Sequence, residues 1–223
     1  MPTTVAAVPF WSPDEVAAAL SRVVTHLKAG LVLGYPTETV YGFGGAVESD
    51  AVERIVRMKQ RPPGKPFLIL IGGSWMLDRL GIHLTPSASR LAARHWPGPL
   101  TLVLPGGENR VPSRLRGPEG GVAVRWTPHE GLQRLIHAYG DPITSTSANR
   151  PRQPPAASAG EVLRDWGALA ALGELMVLDG GTLEPSSPST VVDCTGRRAR
   201  VIRPGVISAC TLRESVPDLV GDV

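Results

Sequence analysis

Short uninterrupted apolar runs alternate along this chain with stretches in which apolar residues recur every three or four positions. Ser12-Pro13-Asp14-Glu15, followed by Val16, Leu20, Val23, Val24 and Leu27 on one face, reads as a capping box with proline at the first helical position. Gly30 ends that helix, and the run Leu31 to Tyr35 predicts a strand. Asp50 with Glu53 opens a second helix, with Val52, Ile55 and Val56 as its stripe and Pro62 as its stop. Phe67 to Ile71 is a run of strand length, Thr85-Pro86 caps a helix to about His95, and further strands are predicted at Leu100 to Leu104 and Val122 to Trp126. A helix from Glu130 to Ala138, a strand near Pro142 to Thr146 and a capping box at Ser158 to Glu161 follow. Leu175 to Leu178, Thr190 to Asp193 and Arg200 to Ile202 complete the strands.

Helices and strands alternate, and the strands are continuous apolar runs, so the pattern predicts an α/β domain with a mixed, largely buried sheet. The Pro/Gly/Arg-rich segments Pro105 to Gly121 and Arg150 to Ala157, and the polar stretch Gly180 to Ser189, read as surface loops. At 223 residues with 42% hydrophobic content, one sizeable core is expected, with residues 1–208 as the domain and 209–223 as a frayed or peripheral tail. The start of the chain lacks a charged segment followed by an apolar one, and no stretch approaches about 18 apolar residues. The expectation is a soluble cytoplasmic protein that does not contact a membrane. Cys194 and Cys210 are too few for a disulfide framework and lack metal-ligand spacing.

A formal charge of +3 suits anionic ligands or RNA without marking a dedicated nucleic-acid binder. Its distribution says more. Of 23 basic residues only Lys28, Lys59 and Lys65 are lysines, and two of them lie in the knot Lys59-Gln60-Arg61-Pro62-Pro63-Gly64-Lys65-Pro66. Arg61 precedes a proline, which biases it toward extended backbone, so Lys59 and Arg61 can point into one pocket and grip a carboxylate or phosphate. The alternative is a pair of helix C-terminal cations answering the macrodipole. In an extended chain Thr37, Thr39 and Tyr41 share one side, as do Ser145, Ser147 and Asn149, and each set offers a row of donors and acceptors at a strand end. Capping and turn formation are the competing explanation for those residue types. Ser189 precedes another buried strand, and Arg203 is a candidate phosphate clamp. Gly42, Gly44 and Gly45 permit close backbone approach without spelling a dinucleotide fingerprint, Gly64-Lys65-Pro66 completes no Walker A loop, and no Gly-x-Ser-x-Gly elbow supports a hydrolase. The five histidines show no metal spacing.

Seven segments in order, Tyr35 to Gly42, Lys59-Gln60-Arg61 with Lys65-Pro66, Trp96 to Thr101, Val122 to Arg125, Thr146 to Asn149, Ser189 to Asp193, and Arg203-Pro204-Gly205, closely resemble the YrdC-like family. The resemblance implies an open, twisted mixed sheet flanked by helices, with a basic concave face. It implies an ATP-dependent nucleotidyltransferase of the L-threonylcarbamoyladenylate synthase type, condensing L-threonine, bicarbonate or CO2 and magnesium-bound ATP to threonylcarbamoyl-AMP and pyrophosphate. A downstream tRNA threonylcarbamoyltransferase would use the product, and contact with tRNA is a further implied partner. The family's tetrad falls on Lys59, Arg61, Ser147 and Asn149. On this resemblance Lys59 and Arg61 meet the carbamate, the threonine carboxylate and the phosphates, and Thr37 and Thr39 recognise threonine. Arg125, Ser147, Asn149, Ser189 and Arg203 take the nucleotide, and no protein ligand for a metal is assigned. Many family members carry a histidine after the Lys-Pro strand, where this chain reads Phe67-Leu68-Ile69-Leu70-Ile71-Gly72-Gly73. The rival expectations are a relative that makes carbamoyl-AMP from carbamoyl phosphate, and a non-catalytic module gripping an RNA backbone.

Overall fold

The computed structural model describes residues 6–62 and 64–221; Pro63, inside the basic knot, and Asp222, in the tail, lie outside them. After a two-residue strand β1 (Val8–Pro9), helix α1 (Pro13–Lys28) starts where its capping box puts it. Ser12 Oγ accepts from the Glu15 amide at 3.3 Å, and Glu15 Oε2 accepts from the Ser12 amide at 2.8 Å. Strands β2 (Val32–Pro36) and β3 (Tyr41–Gly44) are buried at every position. Helix α2 (Ser49–Lys59) begins just after Glu48, slightly earlier than the Asp50 signal suggests, and Gln60 at φ 48° turns the chain out of it. Strand β4 (Leu68–Ile71), helices α3 (Trp75–Leu80) and α4 (Pro86–His95), β5 (Leu100–Leu104) and β6 (Val122–Trp126) follow. The remainder is α5 (Glu130–Tyr139), β7 (Ile143–Ser147), α6 (Ala159–Ala171), β8 (Leu175–Asp179), β9 (Thr190–Asp193), β10 (Arg200–Arg203) and α7 (Ala209–Arg213).

These strands form one mixed sheet in the order β1-β8-β2-β3-β7-β4-β6-β5-β9-β10. Side chains two apart on a strand share a face, so Thr101 and Val103, Ala123 and Arg125, Ser145 and Ser147, and Ser189 and Val191 line one side together. The alternate residues Leu100, Leu102, Leu104, Val122 and Val124 are buried on the other. Register aligns the first set across strands: Gly42 faces Ser147, Leu68 faces Ser145, Leu70 faces Arg125, and Thr101 faces Val191. The two ends of the segment Gly180–Ser189 join β8, second from one edge, to β9, second from the other. Seven strand spacings of about 4.8 Å separate them, nearly the full reach of so short a chain, so the segment runs extended across the polar face rather than looping outward.

One expectation is corrected. The chain beyond Ser208 is docked: Leu212, Val216 and Leu219 form a buried stripe, and the Val220 amide donates to Ala199 O at 2.9 Å. Gly42 and Gly44 do permit close backbone approach, that of β7 to β3, and Gly42 also lies on the polar face. A Cβ on Gly44 would lie 1.9 Å from Thr144 O, so Gly44→Ala is expected to destabilise the protein by about 3 kcal/mol or more, read by urea denaturation. A loss below about 0.5 kcal/mol would contradict this β3–β7 packing.

Candidate active site

The β2–β3 connection is a tight turn, where the sequence reading has an extended stretch. The Thr37 amide donates to Val40 O at 3.2 Å, and Thr37 Oγ1 accepts from the Thr39 and Val40 amides, each at 3.1 Å. The two threonine hydroxyls lie 3.1 Å apart, and both side chains are buried along the cavity wall. The Thr37 hydroxyl thus closes the turn as well as facing the cavity.

Lys59 and Arg61 are brought to the same strand, β7, because Gln60 reverses the chain between them. Lys59 Nζ donates to Ser147 O and, at 2.8 Å, to Asn149 Oδ1, which also accepts from Ser147 Oγ at 2.7 Å. Asn149 Nδ2 donates to Gln153 O at 2.6 Å, so its amide orientation is fixed from both sides. Burial, and then the charge of Arg61, push the Lys59 ammonium down to about 7. Arg61 Nε donates to Lys65 O at 2.7 Å, Nη2 to Pro66 O at 2.9 Å and Nη1 to Thr146 Oγ1 at 3.2 Å, with the guanidinium 4.9 Å above the Phe67 ring. Four contacts fix a side chain that is free to swing in a solvated helix terminus, so the dipole-answering alternative does not describe it.

On the opposite side Arg203 Nη2 donates to Ser189 O at 2.7 Å and to Ser189 Oγ at 3.1 Å, and Ser189 Oγ lies 2.9 Å from Thr101 Oγ1. Between the two groups stands Arg125, buried, donating through Nε to Gly98 O at 3.2 Å and ion-paired through Nη2 with Glu38. Burial and then the nearby Arg203 pull the Arg125 pKa down to about 10, a pull that Tyr35 opposes.

Thr37, Thr39, Arg61, Arg125, Ser147, Ser189 and Arg203 all line one cavity of about 590 Å³, and Lys59 and Asn149 stand directly behind Ser147. The extended segment from β8 forms a wall through Ser186 and Pro188, and Ser186 Oγ donates to Thr39 O at 2.9 Å. The loop Pro105 to Gly121 stands elsewhere: buried Val111 and Leu115 pin it, and its Arg114 and Arg116 line a recess of about 100 Å³ shared with Arg61 and Lys65. Sequence reasoning misses Glu38, Thr146 and Ser186. The one signal for Glu38 is a carboxylate lying between two threonines of a hydroxyl-rich loop.

The family model for the Sua5/YciO/YrdC domain, described as "Telomere recombination", matches residues 25–205. The chain belongs to this family. Among Sua5/YciO/YrdC relatives, the threonylcarbamoyl-AMP synthase of Pyrococcus abyssi is 36% identical over 199 residues, covering 88% of this chain and 56% of the relative. That of Chromohalobacter salexigens is 36% identical over 182 residues, covering 81% of this chain and 95% of the relative. The crystal structure of P. abyssi Sua5 complexed with L-threonine superposes with a TM-score of 0.84 at 32% identity, over 96% of this chain and 62% of that one. The chain therefore spans little more than half the length of the archaeal protein and nearly all of the bacterial one. The open mixed sheet with flanking helices is the architecture expected from the family resemblance.

Proposed function

We propose that this protein is an L-threonylcarbamoyladenylate synthase, joining L-threonine, bicarbonate or CO2 and ATP into threonylcarbamoyl-AMP with release of pyrophosphate. The convergence of Lys59, Arg61, Ser147 and Asn149 with the Thr37–Thr39 turn around one cavity carries the reading. Its volume lies within the range of small-molecule sites. The amine of threonine attacks the carbon of CO2, losing a proton. A carbamate oxygen then attacks the α-phosphorus as the bond to the β-phosphate oxygen breaks, and pyrophosphate leaves. No protein nucleophile is required, so positioning and charge neutralisation carry the catalysis.

The charge distribution divides the ligands. Lys59 and Arg61 bond uncharged acceptors and Lys65 lines the adjoining recess, where Arg114 and Arg116 are already paired with Glu53 and Glu108, so Lys59, Arg61 and Lys65 make the β7 side suit a polyanion such as the triphosphate. Arg125 is charge-paired with Glu38 and tied through it to the Thr37–Thr39 turn, which makes the potential there lower than on the β7 side and favours the single threonine carboxylate over a triphosphate, with Ser189 alongside. Ser147, Asn149 and Arg203 remain with the nucleotide. Magnesium enters as part of the ATP substrate, held by phosphate oxygens and water. The extended wall segment excludes water from a carbamate that would lose CO2 and an anhydride that would hydrolyse. Among the described residues no helix is long and apolar enough to cross a membrane. We place the enzyme in the cytoplasm, upstream of a tRNA threonylcarbamoyltransferase.

The test is pyrophosphate release by the purified protein. Release is expected only when threonine, bicarbonate and ATP are all present. Equal turnover with serine or without an amino acid would remove the substrate assignment, and turnover with carbamoyl phosphate in place of threonine and bicarbonate would select the carbamoyl-AMP chemistry. No release, together with tRNA binding that weakens steeply with salt, would select the RNA-binding reading.

A further inference from the structure

The Glu38 side chain leaves the β2–β3 turn and reaches β6 and the residue after it. Its Oε1 pairs with Arg125 Nη2, and its Oε2 accepts from Thr127 Oγ1 at 2.9 Å. Strands β7 and β4 lie between β3 and β6 in the sheet, about 14 Å in all, so the turn leans over both of them to make this contact. Thr127 is itself fixed, since its Oγ1 accepts from the His129 amide at 3.2 Å as α5 begins. The other flank of the turn is held by Ser186 Oγ on Thr39 O. A turn gripped on both flanks has little freedom left.

Stability does not explain the acid. A buried ion pair is often no better for folding than apolar side chains of the same volume. The donor inventory of the guanidinium is more telling. Of its five N–H groups, Nε is engaged with Gly98 O and Nη2 with Glu38, which leaves the Nη1 edge for a ligand in the cavity. Arg203 stands close enough to repel Arg125, and without Glu38 the single bond from Nε to Gly98 O is left to oppose that push.

We propose that Glu38 is the positioning residue of the amino-acid site: its carboxylate braces the Thr37–Thr39 turn against Arg125 and Thr127, so that the turn's hydroxyls and the free guanidinium edge face the same ligand carboxylate. This rests on the synthase reading above. Glu38 touches no substrate; it sets the distance between the two groups that do. Removing it therefore weakens threonine binding selectively, because Lys59 and Arg61, which meet the nucleotide phosphates, are held by Ser147, Asn149, Thr146 and Pro66 and not by Glu38.

The experiment measures pyrophosphate release under separate titration of threonine and ATP, with threonine binding followed independently by calorimetry. Glu38→Ala is expected to raise KM for threonine about tenfold or more, with KM for ATP within about twofold and kcat within about threefold of the parent. Glu38→Gln is expected to restore KM for threonine to within about threefold, since the amide oxygen accepts from Arg125 while its NH2 donates to Thr127. Thr127→Val is expected to fall between the two. An unchanged threonine KM in Glu38→Ala, a parallel rise in both KM values, or a glutamine variant no better than alanine would overturn the proposal. Should Glu38→Ala fail to fold, the glutamine and Thr127→Val variants decide in the same way. Failure of the parent protein to require threonine at all would instead overturn the synthase reading.

Discussion

Lys59→Met is expected to raise the melting temperature at pH 7 while reducing threonine-dependent pyrophosphate release by about 10²-fold or more. Lys59 is 6% exposed, and its Nζ bonds Ser147 O and Asn149 Oδ1, both uncharged, with the Arg61 cation two residues on. A buried ammonium without a carboxylate is an electrostatic cost of folding, and that cost holds its pKa near 7. In the unfolded chain the same group titrates at about 10.4. Between those two values the unfolded state binds more protons, so stability rises with pH from about 7 to about 10 and is insensitive to this group below 7. The shift bounds the penalty at about 4–5 kcal/mol, since each unit is about 1.4 kcal/mol. Methionine fills a similar volume and carries no charge. It leaves Ser147 O without its donor, a cost of about 1–3 kcal/mol, while Asn149 Oδ1 keeps its bond from Ser147 Oγ. The net expected gain is about 1–4 kcal/mol at pH 7, or a rise of about 2 °C or more, shrinking as the pH approaches 10. Calorimetry across pH 6–10 reads it. A variant that is less stable at pH 7 and still turns over at the parent rate would show that Lys59 is a structural cation.

A residue kept at a loss in stability and placed between two cavity-lining elements is what a functional ammonium looks like, and the composition already hints at this in the scarcity of lysine. Much of the fold is legible for an equally local reason. Helices α1 and α4 begin at Ser12 and Thr85 because their capping residues sit within three positions of the groups they satisfy. Strands β4 and β8 are built on apolar runs bounded by proline, glycine or acidic residues. The missed elements depend on partners far along the chain. Tyr41-Gly42-Phe43-Gly44 carries two glycines and reads as a loop, yet it is a fully buried strand because β2 and β7 pair with it on both sides. Val8–Pro9 is a strand only by virtue of β8, and α3 is a six-residue helix that follows two glycines and a serine.

The same division holds in the site. The residue types that bind anions are legible wherever they cluster in sequence, as at Lys59 and Arg61 or at Ser147 and Asn149. What joins the clusters is not. The Glu38–Arg125 pair requires the turn after β2 to reach β6, and the wall formed by Ser186 and Pro188 requires knowing that β8 and β9 lie near opposite edges of the sheet. Sheet order is a long-range property, and no local pattern in residues 180–189 encodes it. The family's histidine position illustrates the converse: its replacement by an apolar run is plain in the sequence, and β4 accordingly runs Leu68–Ile71 with Leu70 buried.

Arg61→Lys is expected to reduce kcat/KM by about 10²-fold or more, nearly as far as Arg61→Ala, although it keeps the charge. If the site needed only positive potential, lysine would suffice. The structure shows a planar group held at both ends: Nε and Nη2 on the carbonyls of Lys65 and Pro66, Nη1 on Thr146, and the plane over Phe67. That arrangement aims the remaining N–H groups as a fork, which suits two oxygens of a phosphate, and a lysine ammonium cannot reproduce it. Its longer free swing would also lose the two carbonyl anchors that define the segment from Lys65 to Pro66. Because Arg61 is bonded to uncharged partners, its loss leaves no orphaned carboxylate, and the melting temperature is expected to fall by no more than about 4 °C, corresponding to about 1 kcal/mol. Steady-state kinetics with ATP as the varied substrate and a melting curve for each variant read both effects. Full turnover in Arg61→Lys would mean that charge alone is recognised. A collapse of kcat together with kcat/KM in both variants, with unchanged melting, would identify the fixed guanidinium as the group that meets the transferring phosphate, because a contact made equally in the ground state raises KM without lowering kcat.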